Sequence, residues 1–218
     1  MSSSFLQLLV LAGIAIFLIL KLRSVLGTRE GFEKPPVPAE SSRPRLVVAN
    51  DMDQTGDPDI TDHVPEGSAS ALALAQIKQV EPGFSVGEFL SGARGAYEMI
   101  LISYEHGELE QIRAFLTDDV EESFGEAIAE REAKGLTIEA KFAGVSEMTI
   151  EDARFDQVTK FAELTVRFTG ELTLVVRNKA GEIVDGSATA IKRQRDTWTF
   201  ERQVGVNDPN WQLSATGD

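Results

Sequence analysis

Few side chains in this chain are of a type that does chemistry, and their spacing narrows the set further. None of the 218 residues is cysteine, which excludes a thiolate nucleophile, a zinc–thiolate site and a disulfide framework. Of the two histidines, His63 falls in a Pro- and Asp-rich stretch and His106 stands at a predicted helix end beside Gly107. A catalytic imidazole needs a group that orients it, and neither setting supplies one. The acidic pairs Asp118-Asp119, Glu121-Glu122 and Glu151-Asp152 could hold a metal or move protons only if they faced one another, which adjacent helix residues do not. There is no EF-hand spacing, HExxH, P-loop or dinucleotide fingerprint. These residues read as solvated faces. The expectation is a protein that is not an enzyme and uses no cofactor or metal.

The other candidate group is basic. Lys192, Arg193 and Arg195, with Arg202 nearby, form the one local positive cluster in an acidic region. Alternation along a strand sends Lys192 to the face opposite Arg193. A docking patch for anionic lipid or an acidic partner is one reading. The plainer one is a wet sheet edge whose cations deter strand pairing.

Charge is uneven along the chain. Residues 1–45 carry net +3 and residues 46–218 net −17. So anionic a domain repels phosphate backbones, which argues against nucleic acid as a partner.

Whatever these residues do, they do it on a leash. Phe5–Leu20 is sixteen residues without a charge, about 24 Å as a helix. Phe5, Leu8, Leu11, Ile14, Phe17 and Leu20 are its apolar anchor positions, and Lys21 and Arg23 would snorkel to phosphates. A cleaved signal peptide would need a basic start and a small-x-small site, and both are missing. Residues 1–26 therefore read as a transmembrane anchor and its flank. Cations follow the span, so the N-terminus is expected outside an inner (plasma) membrane and the rest of the chain in the cytoplasm. Residues 27–67 read as a disordered, Pro- and acid-rich tether, because Pro35, Pro36, Pro38, Pro44, Pro58 and Pro65 forbid a long helix and apolar residues are sparse.

Residues 68–218 read as one domain. Ser68–Val80 predicts a modest helix, and Ser85 with Glu88 in capping-box spacing starts a stronger one. Phe89, Ala93, Ala96/Tyr97, Ile100, Leu101 and Tyr104 recur at helical period, and Gly107 stops the helix. A short helix over Glu108–Leu116 and another starting at Thr117 or Asp118, closed by Lys134-Gly135, follow. The period then switches to two over 137–145 and 160–177, with a hairpin turn at Asn178–Gly181. Ile183–Arg193, Thr197–Arg202 and Trp211–Leu213 complete a strand set. Helices first and an antiparallel sheet second describe an α+β domain, and Gly144, Gly170 and Gly186 would let the sheet bend around the helices. Curved sheets capped by helices leave a pocket. Ala96, Ile100, Leu164, Val166, Phe168 and Trp198 are the candidates to line it.

One ordered set of residues carries a family resemblance. It runs through Phe84, Phe89-Leu90 and Gly92-Ala93, then Ala96–Ile100 and Ala127-Ile128 with Arg131-Glu132. It continues with Gly181, Ile183-Val184 and Gly186, then Asp196, Trp198–Phe200 and Arg202, and ends in Asp208–Trp211 with Leu213. In this order and spacing the chain resembles bacterial relatives of the mitochondrial import inner-membrane translocase subunit 44. The resemblance implies helices on a curved antiparallel sheet, as in the nuclear transport factor 2 cone, with a large apolar cavity. It also implies an adaptor or scaffold at a membrane rather than a catalyst. A protein partner is then expected, among translocase, insertase or chaperone components, in protein translocation or membrane-protein biogenesis. The alternative is a lipid or other apolar ligand in the cavity.

Overall fold

The computed structural model describes residues 56–217. The anchor read over Phe5–Leu20, with Lys21 and Arg23, and the tether up to residue 55 lie outside the described residues. Among the described residues no helix is long and apolar enough to cross a membrane.

The order of elements is helical first and extended second. Helices α1 (Pro58–Thr61), α2 (Ala69–Val80) and α3 (Val86–His106) lead to two 3-10 turns, Leu109–Gln111 and Arg113–Phe115, and then α4 (Asp118–Ala133). Strands β1 (Thr137–Phe155), β2 (Phe161–Arg177), β3 (Ile183–Gln203) and β4 (Gln212–Gly217) follow. They pair antiparallel in the order β1-β2-β3-β4. This is the expected α+β architecture, with three differences. The short helix over 108–116 is two 3-10 turns. β1 runs on through Phe155, and β3 is one strand where two were expected.

Local chemistry accounts for the boundaries. Ser68 Oγ accepts the Ala71 N–H at 3.1 Å and Ser85 Oγ accepts the Glu88 N–H at 3.3 Å. Gly107 takes φ 78° and ends α3, a conformation that glycine alone adopts cheaply. β1 is irregular, with register shifts at Phe142/Gly144, Val145/Glu147 and Ile150/Asp152. Each bulge adds bend and twist, so so long a strand curves around the helices.

The core forms between α3 and the sheet. Val86, Phe89, Leu90, Ala93, Tyr97, Ile100 and Leu101 form the buried stripe of α3. Ala162, Leu164, Val166 and Phe168 of β2, all fully buried, face it. Tyr97 stacks on Phe168 with ring centroids 4.4 Å apart and lies 4.7 Å from Trp198. Its hydroxyl donates to Asp196, which also accepts from Gln194 Nε2 at 2.9 Å. Gly170 makes room for it, since a Cβ there would stand 2.5 Å from the Tyr97 hydroxyl.

The folded domain begins before Ser68, and this corrects the tether boundary. Ile60 is fully buried and Val64 nearly so, both within the predicted tether. Asp57 caps α1 ahead of Pro58, the position where a missing N–H costs nothing. Lys78 Nζ then lies 2.5 Å from Asp57 and 2.7 Å from Asp59, pinning α1 to α2.

Two outcomes follow. A fragment starting at Ser68 should be less stable in urea than one starting at Gly56 by about 3 kcal/mol or more, from the lost burial of Ile60 and the lost caps. Gly170→Ala should cost about 1–3 kcal/mol by overpacking Tyr97, read as a lower urea midpoint with unchanged slope.

Candidate functional site

An open groove of about 330 Å³ runs along the N-terminal half of α3. Its floor and one wall come from Phe84, Phe89, Gly92, Ala93 and Ala96. The other wall is Phe115, Phe200 and Trp211 with Pro209 and Asn210, and Glu81, Glu88 and Arg202 supply charge. The helix presents its small residues here because Gly92 and Ala96 follow Phe89 at spacings of three and seven, one helical face. Phe89 packs edge-on against Trp211 at 4.9 Å and against Phe200 at 6.1 Å. The aromatic wall is thus braced from behind rather than loosely exposed.

The charged end of the groove is built as carefully. Arg202, expected among the exposed cations, is only 7 % exposed. It sits over the Trp211 ring at 5.1 Å, and its Nη2 donates to both oxygens of Glu81 at 2.8 Å. Burial of a guanidinium requires such a partner. The correction has a simple cause. The inward side of β3 near its end faces Glu81 at the C-terminus of α2, and Trp198, Phe200 and Arg202 share that side.

The rim nearest Ser85 is held by Asp59. Its carboxylate accepts the Ser85 hydroxyl at 3.0 Å, the Val86 N–H at 2.8 Å and the Gly87 N–H at 3.1 Å. Burial by itself would raise the Asp59 carboxyl. Lys78 and the three α3 donors outweigh that and bring it down to about 2. The residue that enters the fold with α1 therefore also caps the helix that walls the groove.

Of the six residues expected to line a cavity, only Ala96 lines the groove. Ile100, Leu164, Val166, Phe168 and Trp198 are buried core, packed under Tyr97. Their period identified the inward face correctly, but the interior is filled by rings, so the opening lies at the end of α3 instead. Phe84, Phe89, Phe115 and Trp211 were missed as lining. Their signal was the aromatic content of the helix start, of the 3-10 turn Arg113–Phe115 and of the last loop, which come together only in the fold.

The remaining basic residues stay outside. Lys192, Arg193 and Arg195 are exposed on β3, and Arg193 donates to Glu171 at 2.7 Å. β4 pairs only with Thr197–Glu201, so the stretch from Ile183 to Asp196 is a sheet edge without a further strand among the described residues. The edge of β1, by contrast, is covered. Ser70 Oγ accepts the Ala153 N–H at 3.2 Å, the His106 ring meets the Ala140 carbonyl at 3.2 Å, and Arg94 donates to the Val145 carbonyl at 3.3 Å. His106 thus closes an edge. Arg131 likewise acts within the fold, donating to Glu105 at 3.2 Å and to the Tyr104 carbonyl at 2.6 Å.

Comparison with known proteins found one family and a distant structural likeness. The model of a family described as the Tim44-like domain matches residues 70–218. A solved structure described as the intermembrane space region of the chloroplast protein ARC6 is similar at 10 % identity and TM-score 0.41. That match covers 56 % of this chain and 88 % of the other. No curated protein matches the chain.

The low Asp59 carboxyl makes a pH prediction. Because the folded value lies below the ordinary 3.8, its stabilisation is complete above that value and is lost as pH falls toward 2. Asp59→Asn should cost about 1–2 kcal/mol at neutral pH, the lower end reflecting partial exposure. The gap to wild type should close between about pH 4 and pH 2 in urea titrations.

Proposed function

The chain belongs to the Tim44-like family, and on that premise we propose that it is a membrane-associated, non-catalytic adaptor that holds a protein partner for protein translocation or membrane-protein biogenesis. The observation that carries this reading is the aromatic groove between α3 and the loop before β4. It is apolar where a partner side chain would insert and is walled by Phe84, Phe89, Phe115 and Trp211. Aromatic walls around small residues are what apolar anchors of a partner fill. The family background supports the membrane and the adaptor role.

Within this proposal Phe5–Leu20 is a single-pass anchor in an inner membrane, and the domain hangs on the cytoplasmic side. Confinement by the tether raises the effective concentration of a partner embedded nearby, so a groove of modest affinity suffices. The partner would be a translocase, insertase or chaperone component, and Lys192, Arg193 and Arg195 offer a second, weaker contact for an acidic one. A lipid or other apolar ligand in the same groove is the alternative. Its support is the lining itself, and the comparison with a nuclear transport factor 2-like cone belongs with it.

Gly92→Leu tests the adaptor reading. A Cβ at Gly92, a lining residue of the groove, meets nothing within 4 Å, so a leucine there starts in open space. Leucine also favours the helix by about 0.5–1 kcal/mol, so the fold is kept. With a proximity-labelling tag after Asp218 in living cells, wild type should label a defined set of membrane-embedded or membrane-bound proteins. Gly92→Leu should reduce that labelling about tenfold or more, as loss of a buried anchor does. Equal labelling by both forms would refute the groove as the docking site.

A further inference from the structure

One stretch of the sheet keeps a row of backbone groups without a ladder. β4 pairs with β3 only from Thr197 to Glu201, and among the described residues no strand continues it alongside Ile183–Asp196. Part of that edge is blunted. Between Ser187 and Lys192 four residues of β3 oppose Thr173 alone, and the Ser187 hydroxyl accepts the Thr189 and Ala190 N–H groups, so the strand bulges there. Lys192–Asp196 is different. It pairs residue for residue with Leu172–Phe168, a regular strand with its other edge free. A further strand there would lie in the line of β4, whose ladder ends at Thr197.

The side chains beside this edge say what such a strand would carry. Phe168 faces α3 and pairs with Asp196, so Arg195 and Arg193, opposite Thr169 and Glu171, lie on the other face. There they border a hollow of about 590 Å³ with Ser146, Glu147 and Thr169. Thr169 is buried and donates to Glu147 at 3.3 Å, so that side is satisfied within the fold. Arg193 gives its Nε–H to Glu171 at 2.7 Å and is otherwise exposed. Arg195 has no hydrogen bond or ion pair with the described residues. Two cations two residues apart on one face match carboxylates two residues apart on a neighbouring strand.

Other occupants fit less well. A second copy pairing antiparallel through the same five residues would set Arg193 against Arg195, and like charges directly opposite are destabilising. A lipid surface makes no use of a row of backbone donors and acceptors, and residues 46–218, at net −17, are repelled by anionic lipid. Cations that keep neutral and basic strands away still admit an acidic one, which is how charge makes an edge selective.

We propose that Lys192–Asp196 takes up an extended acidic segment of a partner protein as a further strand of the sheet, with carboxylates at alternate positions on Arg193 and Arg195. Backbone hydrogen bonds supply the affinity, and the two arginines the selection. The inference rests on the reading of these cations as a contact for an acidic partner and adds how that partner is held. It is independent of the groove along α3.

The test uses the full chain in nanodiscs of zwitterionic lipid. The probe is a fluorescein-labelled peptide alternating glutamate with threonine, a β-branched residue that favours the extended form. Anisotropy reads affinity, and amide hydrogen exchange reads the address. Saturable binding that slows exchange within residues 192–196 is expected. Arg195→Glu, which disturbs no ion pair of the fold, should weaken it about tenfold or more. Two further peptides carry N-methyl groups, one on its glutamate nitrogens and the other on its threonine nitrogens, and both keep their charge. Only one set of N–H groups can face β3, so one of the two should bind about tenfold weaker and the other like the parent. Equal affinity of the two methylated peptides would overturn strand addition while leaving the cations as a charge contact. No binding, or equal binding by wild type and Arg195→Glu, would overturn both. Slowed exchange of these residues on raising the protein concentration alone, or on adding phosphatidylglycerol vesicles, in place of a peptide effect, would assign the edge to a second copy or to lipid and overturn the proposal. Gly92→Leu should leave the peptide's affinity unchanged, and a loss there would place the peptide in the groove instead.

Discussion

Tyr97 carries the heaviest constraint in the domain. It places a large ring and a hydroxyl at the centre of the core, where neither finds water. The ring is accommodated by stacking on Phe168 and meeting Trp198, and the hydroxyl by donating to Asp196. Burial, with the Asp196 carboxylate next to it, pushes the phenol well above its ordinary range, so it stays a donor at any working pH. The carboxylate is held in turn by Gln194. This interaction sets the height of α3 over the sheet, and with it the position of Phe89, Gly92 and Ala96. Gly170 is the price of that fit.

With α3 placed, the groove follows from what cannot be covered. The sheet is longer than the helices above it, and the core under Tyr97 is filled with rings. The space that remains lies past the first turns of α3, where Phe200 and Trp211 close one side and Phe84 the other. The two ends of the helical layer are tied down electrostatically. Asp57, Asp59 and Lys78 bind α1 to α2 and to the start of α3, while Glu81 binds the end of α2 to Arg202 on β3. Both ties are partly or wholly shielded from water, where an ion pair needs several hydrogen bonds to offset desolvation, and both have them. The result puts the entry of the chain, the cap of α3 and the rim of the groove within one hydrogen-bonded cluster.

The surface cations show how context changes a residue's meaning. Lys192, Arg193, Arg195 and Arg202 are close in sequence and alike in charge. Three remain in solvent on a sheet edge that no further strand covers among the described residues. The fourth, on the inward side of the same strand and nearer its end, is buried under a tryptophan and neutralised by a glutamate from another element.

Some of this was determined by the sequence alone, because the physics involved is local. The period of 3.6 in Phe89–Leu101 and of two in Ala162–Phe168 told which faces turn inward. Ser68, Ser85 and Gly107 marked helix ends through hydrogen bonds and backbone angles that span only a few residues. The order of elements and the α+β class followed, as did the family, whose motif residues prove to be clamps and turns: Arg131 on Tyr104, Gly181 in its hairpin, Arg202 on Trp211. Even α1 was legible in principle, since Asp57-Pro58 is a cap followed by a first-turn proline. Its four residues were too few for periodicity to show. Tertiary structure decided what depends on distant partners. Which inward residues meet a filled core and which an open groove was set by Tyr97, Phe168 and Trp198 filling the space beneath α3. Whether an arginine was wet or buried was set by Glu81, more than a hundred residues away. Such outcomes depend on packing between elements, which no spacing along one strand or helix encodes.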